Sequence, residues 1–82
     1  MKNFRTFHLA VAFYRQARLV QIPGHLKSQL LRAASSIGLN LAEGRGRHTK
    51  SEQLNFFNIA MGSLRECQAV LVLVLCQINS LI

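Results

Sequence analysis

Asn40 to Lys50 reads N-L-A-E-G-R-G-R-H-T-K, a glycine-rich, strongly basic stretch flanked on both sides by long amphipathic patterns. It reads as a corner between two helices. Gly44 is expected to end the incoming helix in a left-handed conformation, which other residues adopt only at a cost. Thr49 followed by Glu52 has the capping-box spacing, in which a hydroxyl and a carboxylate each satisfy an orphan backbone N–H as the next helix begins. Between these signals Arg45, Arg47, His48 and Lys50 are expected outside regular structure, so that their charges gather at one end of a bundle.

Working outward, Phe7, Ala10, Val11, Tyr14 and Ala17 recur at three- and four-residue steps and predict a first helix over about 4–21. Ile22-Pro23-Gly24 interrupts it, because proline disfavours helix at the preceding residue. A second helix is predicted over about 25–43, with Leu26, Leu30, Ala33, Ile37 and Leu41 on one face and Leu31, Ala34 and Leu39 widening it. Its small residues A-A-S-S-I-G should let a neighbour approach closely, and Gly38, which costs helix about 1 kcal/mol against alanine, should have a packing reason. A third helix is predicted over about 49–80. Phe57, Ala60, Leu64, Cys67, Leu71, Val74, Ile78 and Leu81 alternate steps of three and four, a heptad-like seam. Ala69 to Cys76 is apolar all round and should be surrounded by protein. The fold expected is all-α, an antiparallel up-down bundle in one domain, 1–82.

Helix 3 is much longer than the other two at ~1.5 Å per residue, and its overhang is its most apolar part. Either a fourth helix is missing from these residues or other subunits cover the overhang. A chain of 82 residues buries a modest core, which favours an oligomer for the same reason.

The net charge of +7 is uneven. Residues 1–50 hold nine Lys/Arg against one acid, net +8, whereas 51–82 hold Arg65 against Glu52 and Glu66, net −1. A basic surface attracts polyanions, and such binding weakens with salt. Cys67 and Cys76 stand nine residues apart on one helix, where they cannot bridge, and read as small hydrophobes of a reducing cytosol. The apolar run near the N-terminus is too short and too closely followed by Arg15 and Arg18 for a signal peptide. Ala69 to Cys76 is shorter than the ~20 residues of a membrane span, so a soluble cytoplasmic protein is expected, without membrane partners.

Two motifs in order carry a family resemblance: R-A-A-S-S-I-G-L-N-L-A-E-G-R-G-R, Arg32 to Arg47, and I-A-M-G-S-L-R-E, Ile59 to Glu66. With them the chain resembles, from about Phe4 to Leu75, the four-helix bundle protein family encoded in intervening sequences of bacterial 23S rRNA genes. Asn40, Glu43, Gly44, Gly46 and Arg47 match its signature corner, and Gly62, Ser63 and Glu66 its second signature. The resemblance implies an antiparallel four-helix bundle that assembles as a ring, commonly a pentamer. Related bundles accompany the reverse transcriptase of diversity-generating retroelements, which implies RNA or DNA, a reverse transcriptase or a ribosome-associated protein as partners. Gly38 and Leu39 depart from the family's usual proline and small polar residue, and Gln53 and Cys67 from its large hydrophobes.

Other chemistries fit less well. G-R-G-R-H-T-K-S nearly spells a P-loop, but a P-loop follows a buried strand and here a helix precedes it. His8, His25 and His48 lie in three separate segments without zinc-ligand spacing, so neither metal nor cofactor is expected. Ser35, Ser36 and Ser63 have no base placed beside them by any motif, so no enzyme is expected. Asn40, Glu43, Gly44 and Gly46 read as the residues that build the corner, Glu43 by pairing with Arg47. Arg45, Arg47, His48 and Lys50 are the expected nucleic-acid contacts, with Arg15, Arg18, Lys27 and Arg32 as candidate extensions. The alternative function is a protein-interaction scaffold in which the apolar third helix does the binding.

Overall fold

The computed structural model describes residues 4–80, which form three helices: α1 (Arg5–Leu19), α2 (Gly24–Arg45) and α3 (Lys50–Ser80). α1 stops two residues earlier than the periodicity suggests. Val20 is already extended, with ψ 134°, as the chain prepares for Pro23. The Pro23 carbonyl then accepts hydrogen bonds from the Leu26 and Lys27 N–H groups at 3.0 and 2.9 Å, starting α2.

α2 is the centre of the fold. It packs against α1 on one side and α3 on the other, while α1 and α3 do not pack on each other among the described residues. The two short connections make the chain run up, down and up. The core is the set of side chains between neighbours: Leu26, Leu30, Ala33, Ala34, Ile37 and Leu41 of α2 against Ala10 and Ala17 of α1 and Ala60, Cys67 and Val70 of α3. The small residues of α2 do what their size suggests, with both Ala33 and Ala34 buried. Leu39, expected to widen the buried face, points to solvent at 69% exposure. Leu30 and Cys67 are the largest side chains lost entirely to the interior.

α3 sets the 51 Å length of the molecule, and here the sequence reading needs correcting. Only part of the expected seam faces α2. Ala60 and Cys67 are buried, and Phe57 and Val74 pack against the core, but Leu64, Leu71 and Ile78 are exposed; Leu81 lies outside the described residues. The run from Ala69 to Cys76 is not surrounded by this chain either. Val70 is buried, whereas Val72, Leu73 and Leu75 are more than half exposed. The cause is geometric: a helix all-round apolar can bury only the stripe its single neighbour covers. α3 is also long and apolar enough to cross a membrane by length and composition, taken over Lys50–Asn79 rather than the short run alone.

Candidate nucleic-acid interface

The corner is shorter than its glycines imply. α2 runs through Gly44 to Arg45, and no described residue has a positive φ, so Gly44 is not left-handed. Its glycine has a different cause. A Cβ at Gly44 would lie 2.6 Å from Phe57 Cε1 and 3.1 Å from Phe56 Cβ, so α3 could not approach at this point. Gly46 ends the helix with φ −80°, ψ −6°, its N–H shared between the carbonyls of Ala42 and Glu43 while the Arg47 N–H donates to the Gly44 carbonyl. Of the four basic residues expected in the loop, Arg45 is the last of α2 and Lys50 the first of α3, leaving Arg47 and His48 between helices.

The side chains around the loop form a connected set. Arg47 Nη2 donates to Glu43 Oε1 at 2.8 Å, the pairing the sequence suggested. Both groups are about half exposed, so the pair is worth on the order of 0.5 kcal/mol and acts mainly to orient Arg47. Gln53 Nε2 donates to the Arg47 carbonyl at 3.0 Å, tying the loop to α3. Thr49 Oγ1 accepts from the Glu52 N–H at 3.2 Å, the hydroxyl half of the capping box. Asn40, one turn earlier, faces elsewhere: its Nδ2 donates to the Ser36 carbonyl at 2.8 Å and the Ser36 hydroxyl at 3.0 Å. Ser63 Oγ reaches the same Ser36 hydroxyl from α3 at 2.8 Å. The Ser63–Ser36 bond therefore ties α3 to α2 away from the loop, while Asn40 bonds only within α2. Gly62 does not serve close packing, because a Cβ there would meet open space.

Two aromatic rings shape the cations. The Arg45 guanidinium carbon lies 3.9 Å above the centroid of the Phe4 ring, and Arg47's lies 4.8 Å from that of Phe56. Phe4 in turn stacks on Phe7 at 4.3 Å. A guanidinium resting on a ring keeps its in-plane N–H groups at the rim, where a phosphate can accept them. No spacing rule would find the Phe4–Arg45 pair, since it joins the start of α1 to the end of α2. His48 and Lys50 are exposed, and among the described residues the one ion pair is Arg47–Glu43.

The corner is less positive than the sequence suggests. Arg45, Arg47 and Lys50 stand against Glu43 and Glu52, and a polar recess lined by Glu43, Arg47, His48 and Glu52 mixes both signs. The other candidates are not brought to it. Arg15, Arg18 and Lys27 sit by the α1–α2 turn at the opposite end, roughly 27 Å along α2 for Lys27, and Arg32 lies mid-helix, roughly 20 Å away. All are exposed except Lys27, which is half-buried. The basic residues thus form two separate ends joined by a sparse middle.

A protein-family model described as 23S rRNA-intervening sequence protein matches residues 5–79. No curated protein and no solved structure matches the chain.

Proposed function

The chain belongs to the 23S rRNA-intervening sequence protein family, and we propose on that premise that it is a small cytoplasmic binding protein, not an enzyme. In this reading it self-associates and engages RNA or DNA without sequence preference through Arg45, Arg47, His48 and Lys50. The family is consistent with an rRNA-related role. One observation supports the finer reading most: Lys50 and His48 are exposed, as is Arg45, whose guanidinium carbon rests 3.9 Å over the Phe4 ring. Binding would proceed by displacement of condensed counterions, with no base edge read. Glu43 keeps Arg47 oriented at the cost of part of its charge, so Arg45 and Lys50 carry the larger share.

Three phosphate contacts on a single strand give a salt exponent of about −2, hence a loss of roughly 20-fold in affinity between 50 and 200 mM salt. An electrophoretic shift with a 20-nucleotide RNA at both salt levels, on wild type and on Arg45→Gln/Arg47→Gln/Lys50→Gln, tests this. No shift at low salt, or a triple variant that shifts the RNA like wild type, would sink the reading.

A further inference from the structure

The corner holds a column of flat groups that phosphate binding alone does not call for. Phe4 and Phe7, three residues apart at the start of α1, lie parallel within 8° with their centroids 4.3 Å apart. The Arg45 guanidinium carbon lies 3.9 Å over the centroid of the same Phe4 ring. Two groups this close to one ring cannot share a face, since each needs about 3.5 Å of depth. Arg45 therefore covers the face that Phe7 leaves open.

The column is anchored at its inner end. Phe7 packs against the buried core, and its Cε1 would stand 3.9 Å from a Cβ at Gly38 of α2. His8 is edge-on to both rings, 5.9 Å from Phe4 and 6.0 Å from Phe7. Helical side chains lean toward the helix N-terminus, so Arg45 at the end of α2 reaches back over the start of α1. Exposure rises along the column, from half-buried Phe7 and Phe4 to exposed Arg45. Its outer end is thus a guanidinium with a ring beneath it and its remaining surface open to solvent.

We propose that this outer end is a stacking platform for one unpaired nucleobase, which makes single-stranded nucleic acid, not duplex, the ligand of the corner. The proposal rests on the nucleic-acid reading above and deepens it. A base and a guanidinium are both planar, and arginine planes stack on bases that have left a helix. The ring under Arg45 restricts the side chain in advance, so less freedom is lost when a base arrives. Arg47 is the poorer platform, because its guanidinium carbon is 4.8 Å from the Phe56 centroid and its Nη2 is held by Glu43. Arg45 stands outside that ion pair, and its charge attracts the electron-rich face of a base.

The two kinds of contact rank the ligands in opposite orders. Phosphate contacts alone favour duplex, which carries one charge per about 1.7 Å of its axis. Stacking favours the single strand, because in a duplex both faces of each base are covered and exposing one means unstacking it. One stacked base strengthens binding by about 5- to 150-fold, whichever base it is, which agrees with a corner that has no sequence preference.

Fluorescence anisotropy at about 50 mM salt tests the platform with a 20-nucleotide single-stranded DNA, its duplex, and a strand of equal length whose sugars carry no bases. The two single strands have equal charge, so the ratio of their affinities isolates the bases. Expected are a ratio of at least about 5, an affinity for the intact strand no lower than for the duplex, and quenching of a fluorescent adenine analogue in the strand on binding. Arg45→Lys keeps the charge and loses the plane, and Phe4→Leu removes the ring beneath it. In both the ratio should fall toward about 1 and the quenching should disappear, while circular dichroism shows the helices intact. A contact that only clips α1 to α2 predicts lower melting temperatures for these variants with an unchanged ratio, and that result would overturn the proposal. Equal affinity of wild type for intact and base-free strands, or a preference for duplex, would overturn it too and leave the phosphate-binding corner standing. Failure to bind any of the three would overturn both.

Discussion

Gly44→Ala is the substitution whose outcome the packing decides most sharply. Alanine is the better helix former by about 1 kcal/mol, and Gly44 lies inside α2 with a right-handed backbone, so propensity alone predicts stabilisation. The structure predicts the reverse. The new methyl would sit 2.6 and 2.9 Å from the Phe57 ring and 3.1 Å from Phe56 Cβ, and the last of these is anchored to the α3 backbone, so the helices must part. Overpacking of this kind costs about 1–3 kcal/mol, which leaves a net loss of about 1 kcal/mol after the propensity gain. For a chain of this length that lowers the melting temperature by roughly 4–8 °C. Gly62→Ala is the internal control, since its Cβ meets nothing within 4 Å and should raise stability by about 0.5–1 kcal/mol. Thermal melts followed by circular dichroism read both. If Gly44→Ala stabilises as much as Gly62→Ala, the close approach of Phe57 to α2 is wrong.

Four further outcomes are expected. Burial pushes the Cys67 thiol up from its ordinary value, with the Glu66 carboxylate adding to the effect. The folded state thus favours the neutral thiol; its contribution is full below the unfolded pKa, near ~8.5, and is lost as pH rises through the higher folded value, so melts should drop in alkali in wild type and not in Cys67→Ala. In the folded protein a thiol reagent should modify exposed Cys76 rapidly and Cys67 only at the rate of opening. Ser36→Ala and Ser63→Ala should be non-additive, with a coupling of about 0.5–1.5 kcal/mol in a denaturation cycle, because they share the 2.8 Å hydrogen bond between α2 and α3. Thr49→Ala should cost about 1 kcal/mol through loss of the bond from the Glu52 N–H.

The helices were legible because their apolar spacing and the Pro23 break are local signals, and the Thr49 cap and the Glu43–Arg47 pair follow from fixed offsets along one chain segment. What periodicity could not decide was which face of α3 meets α2. An all-apolar helix carries two interleaved patterns of three and four, one through Cys67 and one through Met61 and Leu75, and hydrophobicity ranks them equally. Glycine misled for a related reason. Gly44 matched a helix-ending signal, yet it answers to Phe56 and Phe57 across the interface, a contact no local offset encodes. The same holds for Phe4 under Arg45, and for the separation of Arg15, Arg18 and Lys27 from the corner. Charge counted along a sequence does not reveal which end of a bundle each residue occupies.

The proposed role of the corner is tested most directly by the salt dependence of RNA affinity, measured by fluorescence anisotropy on wild type and Arg45→Gln/Arg47→Gln/Lys50→Gln. The wild-type slope of log affinity against log salt should be steeper than the variant's by about 2, the share of three single-strand phosphate contacts. Parallel lines for the two proteins would contradict it.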